Sequence, residues 1–134
     1  AGLFSATLSA QFDGAKFLAI ESSKQAIADG ERSSHDLDNL RFHQADVLKF
    51  LRSQTAGTFD TIILDPPRSG AANKVVEQLI RLSPRNMIYV ACDPVALARD
   101  LRTLGDAGYQ VMAMRAFDIF PHTHHFETVV ALAR

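Results

Sequence analysis

The one cysteine of the chain, Cys92, ends a strongly apolar run (NMIYVAC, residues 86–92) and precedes Asp93-Pro94 and a helical pattern. That position puts the sulfur near a helix N-terminus, where the dipole favours thiolate, the form of cysteine that attacks carbon. The alternative is a buried, unreactive thiol, the commoner fate of a lone cysteine, and Asp93 beside it opposes negative charge on sulfur. A single thiol cannot close an internal disulfide, nor by itself hold an iron–sulfur cluster or a cysteine-rich zinc site.

A second constellation is Asp65-Pro66-Pro67-Arg68-Ser69-Gly70. Two prolines stiffen the end of a strand and aim its carbonyls and the Asp65 carboxylate outward, while Gly70 relieves the turn into the next helix. A rigid elbow carrying an acid reads as a site rather than a plain turn. Glu21 and Asp46 are less specific. Glu21 closes a strand at the right distance after the Gly2 turn to accept both hydroxyls of a nucleoside ribose, or it is an acid favoured at a helix N-terminus beside Ser22 and Ser23. Asp46 is either an acceptor for an adenine amino group or a helix cap. The stretch from Phe120 to Glu127 holds three histidines and an acid. His124 and His125 are adjacent, and no pair sits on one helix face, so metal is the weaker reading. Glu127, at the start of a strand, suits a general base.

The elements that must place these groups alternate between helical and strand patterns, which reads as α/β. A short helix over residues 3–12 stops at Asp13-Gly14, and residues 16–21 (KFLAIE) form a buried strand. Ser22 and Ser23 cap a helix that loses its pattern before Asp36. Residues 40–45 are a strand, 47–51 a helix, and 59–65 (FDTIILD) the clearest buried strand of the chain. Helices follow over 71–82 and 94–104, the latter with Pro94 in its first turn, and a strand over 86–92 lies between them. Residues 109–117 and 126–133 pair as a terminal antiparallel hairpin. The pattern predicts a mostly parallel sheet with helices on both faces. Ligands of such sheets bind beyond the carboxyl ends of the strands, and Glu21, Asp46, Asp65 and Cys92 all fall there, on one rim.

With 47% hydrophobic and 22% charged residues, the composition is that of an ordinary globular protein, and 134 residues suffice for one domain. A net charge of −1 argues against a domain that holds nucleic acid by charge alone. No apolar run is long enough to span a bilayer and no signal peptide opens the sequence, so a cytoplasmic location is the default expectation.

Taken together, Asp65-Pro66-Pro67-Arg68-Ser69-Gly70, Tyr89-Val90-Ala91-Cys92-Asp93-Pro94 with Leu97-Ala98-Arg99-Asp100-Leu101, and Phe120-Pro121-His122-Thr123 through Glu127 resemble the RNA (uracil-5-)-methyltransferase family in order and spacing. Ala1-Gly2-Leu3-Phe4 is similar to the tail of that family's glycine-rich cofactor loop. The resemblance implies a class I (Rossmann-like) methyltransferase sheet with a terminal antiparallel hairpin, S-adenosyl-L-methionine as cofactor, and a uridine of rRNA or tRNA as substrate. By position, Cys92 is the cysteine that adds to carbon 6 of uracil, Glu127 the base that removes the carbon 5 proton, and Asp65 the acid facing the target base. Gly2, Phe4, Glu21, Asp46 and Asp65 match the cofactor side. Enzymes that methylate exocyclic amines usually follow Pro-Pro with an aromatic residue, where this chain has Arg68.

Two departures from the family pattern carry expectations. Ala91-Cys92-Asp93-Pro94 stands where the family commonly has Ser-Cys-Asn-Pro. The chain also begins after the point where the family's first, central strand and most of its glycine loop lie, as an N-terminally truncated catalytic domain over residues 1–134. The strands over 16–21 and 59–65 are then expected to pair directly, leave a gap or borrow a strand, and the isolated chain to bind cofactor weakly or not at all and to lack activity. A methyltransferase of another base or small molecule, and a non-catalytic α/β module binding RNA or a protein, are the competing readings.

Overall fold

The computed structural model describes residues 2–119, 122 and 126–134. The chain divides into two compact units, residues 1–50 and 51–134.

In the first unit, α1 (Leu3–Ser9), β1 (Phe17–Glu21), α2 (Lys24–Ser33) and β2 (Leu40–Gln44) follow in order. Gly2 caps α1 in the left-handed region at φ 79°, and a Cβ there would meet Phe42 Cε1 at 2.5 Å, so the position requires glycine. The turn after α1 is held by one side chain, the Asn39 amide, which donates to the carbonyls of Ser9, Phe12 and Ala15 at 3.0, 3.2 and 3.2 Å. Ser23 caps α2, its hydroxyl accepting from the Ala26 amide at 3.3 Å, in the place its side-chain type predicts. β1 and β2 run parallel, with Phe17 opposite Leu40 and Glu21 opposite Gln44. Ala19, Ile27 and Leu40 form the small core. The expected burial of the whole first strand is not realised: Ala19 alone is buried and Leu18 is exposed, because β1 has a ladder partner on one edge only among the described residues.

Helix α3 (Val47–Ser53) leads into the second unit, which holds β3 (Thr61–Leu64), α4 (Asn73–Leu82), β4 (Asn86–Ala91), α5 (Pro94–Asp106), β5 (Gln110–Phe117) and β6 (Glu127–Ala133). Its four strands lie in the order β3-β4-β6-β5, with β3 and β4 parallel and β6 antiparallel to both of its neighbours. β1 and β3 therefore do not pair directly. The terminal hairpin forms as expected, with β6 inserted between β4 and β5.

Val76, Leu79 and Leu82 supply the buried stripe of α4, and Ala96, Leu97, Asp100 and Leu104 that of α5. Full burial of one such leucine contributes roughly 1.5–3 kcal/mol. Tyr89 reaches α5, so α5 covers the face that carries Met87, Tyr89, Ala91, Thr128, Val130 and Leu132, all buried. The opposite face of β6 is half-buried, and every residue of β5 is exposed. Helices on both faces were expected. In this unit the crossovers all advance in one direction along the sheet, and right-handed crossovers in one direction place their helices on one face, where α4 packs against α5. The 59–65 strand is shorter than expected and half-buried, because β3 is an edge of this sheet.

Candidate active site

At the carboxyl ends of β3 and β4 the chain makes two turns of different construction. After β3, Asp65-Pro66-Pro67 cannot continue the ladder, and the Gly70 amide closes a turn onto the Pro67 carbonyl at 2.8 Å with Gly70 at φ 79°. After β4, Cys92 leads into Asp93, the N-cap of α5, with Pro94 in the first turn. The Asp93 carboxylate accepts from the Ala96 amide at 2.8 Å. Its charge is thus committed to the helix start, where an acid is favoured.

A shallow crevice separates the two turns, lined by Pro66, Pro67, Arg68 and Gly70 on one side and by Tyr89, Ala91, Cys92, Asp93, Ala96 and Leu97 on the other. Cys92 is half-buried in it. Thr128 pairs with Ala91, and β6 runs antiparallel, so Glu127 lies at the end of β4 where Cys92 follows. The fold therefore brings Asp65, Cys92 and Glu127 to one end of the four-stranded sheet. The flank of Asp65 is desolvated enough to push its carboxyl above the usual carboxylate range, although the residue as a whole is exposed.

Apart from Asp65, the cofactor-side candidates lie in the first unit. Glu21 ends β1, and its Oε1 accepts from the Ser23 amide at 2.8 Å and the Ser22 hydroxyl at 3.2 Å. The Ser23 amide is the main cause holding its carboxyl below the ordinary value, so Glu21 is a carboxylate fixed at a strand end. Asp46 follows β2 and caps α3, its Oδ1 accepting from the Lys49 amide at 2.9 Å. Gly2 and the exposed Phe4 sit at the start of α1. His122 is exposed with φ 65°, an uncommon conformation for a residue with a side chain. Ala1, Phe120, Pro121, Thr123, His124 and His125 fall outside the described residues, and with them most of the histidine-rich segment. Among the described residues no group of three metal-binding side chains converges.

Tyr89, Arg99 and Asp100, to which the linear sequence gives no evident role, form a polar group around one buried carboxylate. Asp100 Oδ2 accepts from the Tyr89 hydroxyl at 2.6 Å and the Ala71 amide at 2.8 Å. Its Oδ1 accepts from Arg99 Nε at 2.9 Å and Nη2 at 2.8 Å. Asp100 is 2% exposed and Tyr89 fully buried, and burial together with the Asp100 carboxylate pushes the Tyr89 hydroxyl far above its ordinary pKa. The signal was present in the helical spacing. Asp100 stands between Leu97 and Leu104 on the apolar stripe of α5, and a buried acid there needs a partner.

A sequence profile of the tRNA (uracil-5-)-methyltransferase family matches residues 1–134. An uncharacterized RNA methyltransferase of Thermotoga maritima is 40% identical over 136 residues, which cover 100% of this chain and 31% of that protein. The 23S rRNA (uracil(1939)-C(5))-methyltransferase RlmD of Enterobacter sp. is 34% identical over 96% of this chain and 31% of its own length. Among solved structures, the tRNA (uracil-54, C5)-methyltransferase of Pyrococcus abyssi, in complex with S-adenosyl-L-homocysteine, superposes with a TM-score of 0.83 at 33% identity. That match covers 98% of this chain and 32% of that one. The chain thus spans about a third of the length of such relatives. The strand order agrees with a class I methyltransferase sheet, and the chain belongs to the tRNA (uracil-5-)-methyltransferase family.

Proposed function

We propose that the protein carrying this chain methylates carbon 5 of a uridine in rRNA or tRNA, with S-adenosyl-L-methionine as donor and Cys92 as covalent nucleophile. The observation that carries the reading is the placement of Cys92, Asp65 and Glu127 at one end of one sheet, beside the crevice under the Pro66-Pro67 elbow. The first unit suits the cofactor. Glu21 is a strand-end carboxylate with a depressed pKa, an acceptor matched to ribose hydroxyls, and Gly2 and Asp46 stand on the same unit, where Phe4 is exposed. The cofactor supplies an electrophilic methyl group.

Uracil carbon 5 is too weak a nucleophile to take that group unaided. The Cys92 thiolate adds to carbon 6, forming the sulfur–carbon bond while the ring's π pair moves onto carbon 5 and the adjacent carbonyl. Once carbon 5 is methylated, Glu127 removes its remaining proton. The freed pair restores the ring double bond, the sulfur–carbon bond breaks, and the thiolate leaves. Asp65 faces the base from the elbow.

The test is denaturing electrophoresis and mass spectrometry of the full-length protein with RNA containing 5-fluorouridine and with cofactor. Carbon 5 of that base has no proton to surrender, so an adduct at Cys92 is trapped. With ordinary substrate RNA, Cys92→Ala loses both methyl transfer and capture, whereas Glu127→Gln accumulates a methylated covalent adduct. Normal turnover by the Cys92 variant would end the covalent reading. Absence of adduct in a folded Glu127 variant would move the base elsewhere, with His122 or His125 next.

A further inference from the structure

We infer that Arg99, Asp100 and Tyr89 are positioning residues that clamp the Ser69–Ala71 turn onto the helix following Cys92, so that the spacing between the Pro66-Pro67 elbow and Cys92 is fixed before any base enters. The inference rests on the proposed role of Cys92 and adds to it a mechanical cause.

Three segments meet at the Asp100 carboxylate. Tyr89 belongs to β4, three residues before Cys92, and Asp100 to α5, which starts directly after it. The Ala71 amide donates to Asp100 Oδ2 at 2.8 Å and approaches the Tyr89 oxygen at 3.0 Å, so the end of the elbow is tied to both. Arg99 Nη2 donates to the Ser69 carbonyl at 2.9 Å as well as to Asp100. Neighbours on a helix point in different directions, so Arg99 has to fold back over Asp100 to make these contacts. Gly70 lies beneath, where a Cβ would stand 2.5 Å from Arg99 Nη2 and 2.7 Å from Asp100 Oδ2. No side chain fits between the turn and the helix.

The burial of the group points the same way. A carboxylate that is 2% exposed and accepts four donors cannot rearrange without stranding one of them. Its two oxygens are divided between jobs: Oδ2 fixes the elbow and β4, Oδ1 fixes Arg99. Cys92 sits on the short connection between Tyr89 and α5, so its distance from Pro66 and Pro67 is set by bonds that it does not make itself. The clamp touches neither of the reacting carbons and acts through position alone.

The experiment uses the full-length protein with Arg99→Gln, Arg99→Lys and Tyr89→Phe. Arg99 is half-exposed at its side chain, Tyr89→Phe removes one oxygen from a packed ring, and a melting curve checks that each variant is folded before its rate is read. The single-turnover rate of adduct formation with 5-fluorouridine RNA is expected to fall roughly tenfold to hundredfold in Arg99→Gln and Tyr89→Phe, the scale of small misplacements of reacting groups. RNA affinity should stay within about twofold, since the clamp makes no contact that a uniform binding loss would report. Arg99→Lys, which keeps the charge but loses the fork, should recover part of the rate. Full-rate capture by folded Arg99→Gln and Tyr89→Phe would overturn the inference, as would a loss confined to RNA affinity. Alkylation of Cys92 by iodoacetamide in the RNA-free protein separates this from the catalytic reading. If the unsubstituted protein captures no RNA, the role of Cys92 falls, and an alkylation rate unchanged by Arg99→Gln then sinks the clamp too, while a changed rate sustains it.

Discussion

Two glycines of the second unit share nearly the same backbone conformation and differ in what surrounds them. Gly57 has φ 77° and nothing within 4 Å of an added Cβ, and Gly70 has φ 79° with Arg99, Asp100 and Ala96 at 2.5, 2.7 and 3.0 Å. Alanine at either position incurs the left-handed strain of about 1–2 kcal/mol and recovers roughly 0.4–1 kcal/mol from a stiffer unfolded chain. Gly57→Ala should therefore cost about 1 kcal/mol. Gly70→Ala must in addition push apart the Arg99 fork and the Asp100 carboxylate. Losing one or two of these charge-assisted bonds, at about 1.5–3 kcal/mol each, adds roughly 2–5 kcal/mol. Against a total stability of about 5–15 kcal/mol, that is a large fraction. Urea unfolding of the two variants measures both, with equal m-values required for the comparison. Since strain and unfolded-state effects are common to the pair, their difference isolates the clash. Equal destabilisation of the two, within about 0.5 kcal/mol, would refute the claim that the elbow is packed without room against α5.

Removing the α5 cap with Asp93→Ala should cost about 1 kcal/mol in the same assay, and Asp93→Asn much less, because an amide oxygen caps as well as a carboxylate. The two acids at strand ends should titrate in opposite senses. Glu21 has a depressed folded pKa, so its contribution is present above the unfolded glutamate value and is lost as pH falls through the folded one, and Glu21→Gln should remove that part of the acid limb. Asp65 has a raised folded pKa, so stability declines as pH rises from the unfolded aspartate value through the folded one. Asp65→Asn should accordingly stabilise at neutral pH and lose that gain in acid, as unfolding midpoints against pH would show.

The strand-end positions of Glu21, Asp65 and Cys92, the caps at Ser23 and Asp46 and the break at Pro66-Pro67 were all legible in the linear order. Each depends on local rules: the alternation of apolar runs, the hydrogen bonds a short polar side chain offers the next turn, and the missing donor of proline. The helix cap at Asp93 is a further feature of the structure. Next to Cys92 in sequence, it turns its carboxylate to the Ala96 amide.

What tertiary structure alone decided is which groups meet. Nothing in the spacing of residues 69–71, 89 and 99–100 says that they share one buried carboxylate, since a hydrogen bond across 29 residues depends on how helix and strand pack. The same holds for Glu127, brought to the end of β4 by a register that places Thr128 opposite Ala91. Burial of β1 and β3 departs from their apolar pattern for a related reason, whereas β4 is buried as expected. An apolar run reports what a strand can bury, but β3 at a sheet edge and β4 between two partners have different surroundings, and those are set by strand order. The sequence by itself determined the elements, their caps and the chemical types at their ends. Neighbours across the sheet, and the buried charge that ties elbow to helix, arise from contacts between distant segments, which exist only once the chain has closed on itself.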